Sequence, residues 1–151
     1  MKKSKRDVLD LADGLHSAAI HLLRQVRTED RATGIGPAQL SALSVLVFGG
    51  RMSLGELAAA EQVKPPTMVR IVQSLSEQGL ARAQADKNDR RKIQITATAR
   101  GRTLMMRARK RRVGALARAI SGISEDDRQA LGSSLQVLKI LQAALRDGTA
   151  E

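Results

Sequence analysis

The sequence predicts a mainly α-helical protein with one small β-hairpin. Two observations carry that reading: apolar residues recur at helical spacing through most of the chain, and the period changes to strict alternation only in two stretches, at 80–85 and 92–97. A third refines it. Two short helical segments with strong start signals stand immediately before the hairpin, separated by a turn of about three residues, which is the pattern of a helix-turn-helix followed by a wing.

The elements follow in order. Residues 7 to about 32 carry Val8, Leu11, Leu15, Ala18, Ala19, Leu22 and Val26 on one helical face, and Gly34-Ile35-Gly36-Pro37 ends the run. Pro37 suits the first turn of a second helix that holds Leu40, Leu43, Leu46, Val47 and Phe48, stops at Gly49-Gly50, and is apolar enough to be expected in the core. Ser53 and Glu56 form a capping-box pair for a short helix reaching about Ala60. After the turn Glu61-Gln62-Val63, Pro65 and Pro66 open another helix, with φ already set and no amide hydrogen to lose, and it runs to Gly79, suited to the left-handed position past a helix end. The alternating stretches flank Asp86-Lys87-Asn88-Asp89-Arg90-Arg91, a charged hairpin tip. Thr98 can cap a long helix from about 99 to 121. Ser124 with Asp127 can cap a last one bearing Leu131, Leu135, Leu138, Leu141 and Leu145.

Composition narrows the function. Of the 151 residues, 26 are Lys or Arg and 15 are Asp or Glu, a net charge of +11 that favours a polyanionic partner. With no Cys there is no disulfide, thiolate metal site, cysteine nucleophile or thiol-based oxidant sensor, and His16 and His21 lie five apart, outside the spacing that pairs ligands on one helix face. No metal or other cofactor is expected. Nor is catalysis, because the chain shows no glycine-rich phosphate loop and no paired acids on an evident cleft-forming loop. Phe48 is the single aromatic residue, too few for the base stacking of single-strand readers, so double-stranded DNA is the expected partner. No apolar run approaches the ~18 residues of a membrane span. The start Met1-Lys2-Lys3-Ser4-Lys5-Arg6 leads into acidic and polar residues, so no membrane partner and a cytoplasmic location are expected.

Charge and motif coincide. The window 64–92, which spans the second helix of the motif and the hairpin, holds seven basic residues and three acidic ones. At 100° per residue, Met68, Ile71, Val72 and Leu75 share one sector of that helix, while Arg70, Gln73 and Glu77 share the opposite one with Thr67 and Ser74 beside them. A helix held by its apolar sector can present the other to a major groove, where Arg pairs with guanine and Gln with adenine. Lys87, Arg90, Arg91 and Lys92 at the hairpin tip can lie along phosphates or enter a narrow minor groove. The alternative is the solvated face of an ordinary core helix.

Several segments in this order resemble the MarR family of bacterial winged helix-turn-helix transcription regulators: Ser53-Leu54-Gly55-Glu56-Leu57-Ala58, Val63-Lys64-Pro65-Pro66-Thr67-Met68-Val69-Arg70, Glu77-Gln78-Gly79-Leu80-Ala81-Arg82, Asp86, and Asp89-Arg90-Arg91. The similarity covers about 40–102 and ends in Thr98-Ala99-Arg100-Gly101-Arg102, which resembles the start of the family's fifth helix. It implies a homodimer whose first, fifth and sixth helices interlock and hold two winged lobes over a pseudo-palindromic operator. That implication divides the chain into an N-terminal dimerisation helix at 1–36, a DNA-binding lobe at 37–99 and C-terminal dimerisation helices at 100–151. The leucine faces of 8–26 and 131–145 agree, since one small lobe cannot bury them both; packing within the chain would account for part of them.

By the same resemblance, Pro66, Thr67, Val69, Arg70 and Gln73 read bases and Ser53, Lys64 and Ser74 meet phosphates. Asp89 holds Arg91, leaving Arg90 for the minor groove, although either guanidinium suits that role. Val69 stands where the family often has Ser or Thr and is expected to touch a thymine methyl instead of donating a hydrogen bond. Lys64 replaces the common Ser, giving up a helix cap worth about 1 kcal/mol and adding roughly one unit of salt dependence. A further implication is a repressor released by a small-molecule effector, often an aromatic carboxylate. His16, Ser17, Arg24, Arg107 and Arg111 are candidate contacts for it, with exposed polar helix faces as the plainer reading. The run Arg107-Ala108-Arg109-Lys110-Arg111-Arg112 points all around its helix and reads as solvated, its repulsion offset by an acidic segment such as Glu125-Asp126-Asp127 of a neighbouring chain or helix. Architectural binding without sequence preference, and regulation without an effector, are the competing readings.

Overall fold

The computed structural model describes residues 5–85 and 93–148. Helix α1 spans Lys5–Arg27 and passes into a 3-10 turn at Thr28–Thr33. There follow α2 (Pro37–Gly49), β1 (Met52–Ser53), α3 (Leu54–Ala60), α4 (Pro65–Glu77), β2 (Ala81–Ala85), β3 (Ile93–Ala97), α5 (Ala99–Ser121) and α6 (Glu125–Asp147). The chain forms two compact units, Met1–Val113 and Gly114–Glu151. In the second, Ser124 Oγ accepts from the Asp127 amide at 3.1 Å and so caps α6 as the sequence suggests.

Three details depart from expectation. The first helix ends at Arg27, five residues early, and continues as the tighter 3-10 turn closed by Gly34 at φ +75°. The wing is a three-stranded antiparallel sheet in the order β1-β3-β2, with Met52 opposite Ile95 and Ala81 opposite Ala97. Strand β1 has only two residues, too few to show alternation, and it forms because the chain before Ser53 runs beside β3. Phe48, expected in the core, is 61% exposed; the buried residues of α2 are Leu40, Ala42, Leu43 and Leu46.

One hydrophobic core organises the first unit. Leu43 and Leu46 of α2 meet Leu57 of α3, Met68, Val72 and Leu75 of α4, Leu80 and Ala81 at the start of β2, Ile95 and Ala97 of β3, and Met105 and Ala108 of α5. Burial of large side chains such as these contributes about 1.5–3 kcal/mol each before entropy is counted, so the lobe owes its stability to this set.

The motif Thr98-Ala99-Arg100-Gly101-Arg102 locks α5 to that core. Thr98 Oγ1 donates to the Gly79 carbonyl at 2.7 Å and accepts from the Gly101 amide at 3.0 Å, while the Thr98 amide donates to the Leu80 carbonyl at 3.0 Å. Gly101 passes so close that a Cβ there would overlap the Leu80 carbonyl oxygen and stand 3.1 Å from Leu43 Cδ1. Arg102 Nη1 donates to the Ala97 carbonyl at 2.7 Å, closing the end of β3.

Candidate nucleic-acid interface

Helix α3 begins at Ser53, whose hydroxyl accepts from the Glu56 amide at 3.2 Å while Glu56 Oε2 accepts from the Ser53 amide at 2.7 Å. This is the reciprocal capping box read in the sequence. The turn to α4 is made by Gln62 at φ +54°, left-handed without being glycine, and the Val63 amide donates back to Ala58 at 3.0 Å. Helix α4 then starts at Lys64, which has extended backbone angles and makes no side-chain cap, with Pro65 and Pro66 in the first turn. At its far end Gly79, at φ +68°, donates to Ser76 at 2.9 Å and Leu80 donates to Leu75 at 2.8 Å, so paired carbonyls end the helix.

Both ends being fixed, the rotation of α4 is set by its core residues. Met68, Val72 and Leu75 are buried and Ile71 is half-buried, which turns Pro66, Thr67, Val69, Arg70 and Gln73 outward, all exposed. Lys64 is exposed at the entry to the helix. The five proposed base-reading positions therefore lie on one accessible face, and Val69, 46% exposed, puts a methyl pair among them. Gln73 Nε2 donates to Glu77 Oε1 at 3.0 Å on the same face.

Ser53 and Ser74 differ from those residues. Ser53 is half-buried and its oxygen already serves the cap, leaving its hydroxyl hydrogen for another acceptor. Ser74 is half-buried, accepting from Gln39 Nε2 at 2.6 Å and from Gln78 Nε2 at 3.4 Å. Gln39 in turn accepts from the Gly36 amide at 2.8 Å, so one amide ties the start of α2 to the middle of α4. The sequence reading missed Gln39; its reach back to Gly36 is a local N3-to-N-cap pattern, whereas its bond to Ser74 spans 35 residues and leaves no signal in the sequence.

At the wing, Arg82 is exposed on β2 and its Nε donates to Thr96 Oγ1 across the ladder at 3.3 Å. Lys87, Asp89, Arg90 and Arg91 lie outside the described residues.

A separate cleft of about 340 Å³ opens beside the 3-10 turn, with Leu23, Ile35, Pro37 and Leu40 as its apolar wall and Arg27, Arg31, Asp30 and Arg112 as its charged one. Arg112 Nη1 stands 3.5 Å from Asp30 Oδ2, while Asp30 Oδ1 is buried with no hydrogen-bond partner. None of the five candidate effector residues lines this cleft. His16, Ser17, Arg24 and Arg107 are exposed elsewhere, and Arg111 is half-buried with its Nε buried and unpartnered. Arg31 lies on the 3-10 turn, where each residue advances about 20° more than in an α-helix, so the periodicity of α1 does not give its direction. In the arginine run, Arg107, Arg109 and Lys110 are exposed and Arg112 meets the carboxylate of Asp30.

Among the described residues no group of three or more His, Asp or Glu is placed to hold a metal ion, and no single helix is long and apolar enough to cross a membrane.

Comparison with known proteins agrees with this geometry. The MarR family profile matches residues 33–92, from the end of the 3-10 turn to just before β3. The chain is 31% identical over 131 residues to the HTH-type transcriptional regulator Mb0904 of Mycobacterium bovis, covering 87% of this chain and 92% of that protein. A MarR family protein from Bacillus stearothermophilus has the same fold, with a TM-score of 0.80 at 21% identity over 93% of this chain and 99% of that one. A Staphylococcus aureus MepR variant solved bound to an oligodeoxyribonucleotide superposes with a TM-score of 0.67 at 18% identity, covering 89% and 97% of the two chains. The chain belongs to the MarR family of helix-turn-helix transcriptional regulators.

Proposed function

We propose that this regulator acts in the cytoplasm as a homodimer, binding a pseudo-palindromic double-stranded operator and repressing transcription until a small aromatic or anionic effector releases it. The observation that carries the DNA-binding half is the rotation of α4: burial of Met68, Val72 and Leu75 leaves Thr67, Val69, Arg70 and Gln73 on one exposed face. In a major groove Arg70 pairs with guanine O6 and N7, Gln73 with adenine, and Val69 packs on a thymine methyl. Pro66 and Thr67 meet base edges at the helix entry. Lys64, Ser53 and Ser74 serve phosphates, and Lys87, Arg90 and Arg91 serve the wing, with Asp89 holding one arginine.

The dimer assigns 1–36 and 100–151 to self-association and 37–99 to DNA. It is supported by the exposed leucines of α1 and α6. Effector release is supported by the cleft beside α2, where Arg27, Arg31 and Arg112 outnumber the one carboxylate of Asp30 and can accept a ligand carboxylate. His16, Ser17, Arg24, Arg107 and Arg111 would take part only if the ligand reaches beyond that cleft.

Selection of bound fragments from a random duplex pool at about 0.15 M salt tests the proposal, since phosphate-only binding is weakened there. The expected result is a two-fold symmetric motif with half-sites about one helical turn apart. Arg70→Ala should cost ~1–3 kcal/mol and relax preference at one position, while Arg90→Ala should weaken all duplexes and flatten the salt slope. No enriched motif would leave a DNA-compacting protein in its place.

A further inference from the structure

We propose that Glu77 is a specificity-positioning residue, one that holds the amide of Gln73 in a single orientation for reading adenine. The inference rests on the proposal that α4 enters the major groove, and it adds a role for a residue outside the predicted contact set. Gln73 Nε2 donates to Glu77 Oε1 at 3.0 Å, one helical turn along the same exposed face. Glu77 has no ion pair with any described residue, so its carboxylate is available to this amide.

A glutamine side chain can present either of two faces, related by a half-turn about its last bond, with nitrogen and oxygen exchanged. A carboxylate accepts hydrogen bonds and donates none, so beside Glu77 only the orientation with nitrogen toward it is favourable. The second hydrogen on Nε2 and the oxygen Oε1 then remain for adenine, whose N7 accepts and N6 donates. Without the carboxylate the amide can turn over and satisfy other bases. The same negative charge opposes the phosphates of any duplex, so Glu77 raises discrimination while lowering affinity. A purely structural residue would not separate these two effects.

The experiment applies the random-duplex selection to the full-length protein and to Gln73→Ala, Glu77→Ala and Glu77→Gln, together with titration of a fixed random duplex. Gln73→Ala should lose the adenine preference at one operator position, by roughly fivefold or more for a two-bond contact. Glu77→Ala should lose most of the preference at that same position yet bind the random duplex several-fold more tightly. Glu77→Gln keeps an acceptor but adds a donor and loses the charge, so it should recover the preference only in part and retain the tighter binding. Undiminished adenine preference in Glu77→Ala would overturn the proposal, as would weaker binding of the random duplex in step with lost preference. If Gln73→Ala alters nothing while Arg70→Ala relaxes its own position, this inference fails and the groove-reading role of α4 stands. If neither substitution changes the motif, that role fails as well.

Discussion

Helices α4 and α6 are both amphipathic, yet their apolar sides end in opposite environments. Met68, Val72 and Leu75 of α4 are buried in the chain's own core, whereas no residue of α6 is buried and Leu135, Ile140 and Leu145 are 55%, 63% and 64% exposed. Helix α1 resembles α6, with Val8, Leu9 and Leu11 all exposed. Amphipathicity therefore marks the apolar side of a helix without telling whether the chain itself covers it. The winged lobe is closed by its own residues; α1 and α6 carry apolar surface of a kind that monomers rarely leave in water.

The largest expected effect breaks the contrast at α6. Leu135→Glu combined with Leu145→Glu places charges where a second copy would pack, and should weaken dimerisation by about 3 kcal/mol or more, which sedimentation would record as monomers with the lobe still folding cooperatively. A wild-type protein that sediments as a monomer at every concentration would remove the contrast altogether. Next comes the lobe itself. Gly101→Ala forces the start of α5 away from Leu80 and Leu43 and should destabilise by about 2–3 kcal/mol in chemical denaturation, because nothing flexible stands in the way to yield. The smallest effect has the opposite sign: Gln62→Gly relieves a left-handed residue in the helix-turn-helix turn and should stabilise the lobe by about 1 kcal/mol, seen as a raised melting temperature.

Local chemistry made most of the lobe legible in the sequence. The capping box at Ser53, the prolines that open α4, the left-handed Gly79 and the capping Thr98 all act within a few residues of themselves, and each has the structural role expected of it. The same holds for the outward face of α4, which follows from the spacing of Met68, Val72 and Leu75. What the sequence hid depends on distant partners. The two-residue β1 exists only because β3 lies beside it, Gln39 reaches Ser74 across 35 positions, and the charged wall of the cleft joins Asp30 to Arg112 across 82 positions. Phe48 misled for a related reason: its apolar neighbours are consecutive, so the periodicity does not say which of them faces out.

Strands β2 and β3 of the wing are tied to the rest of the lobe at the ends that join α4 and α5. Ala81 pairs with Ala97, and immediately beyond that pair Thr98 bonds both Gly79 and Leu80. Register is thus fixed where the strands join α4 and α5. Doubling a loop's length costs only about 0.6 kcal/mol in closure entropy, so a change of chain length between β2 and β3 leaves that end, and α4 with it, in place. A sequence change between the two strands and one on α4 are thereby separable, each open to alteration without disturbing the other.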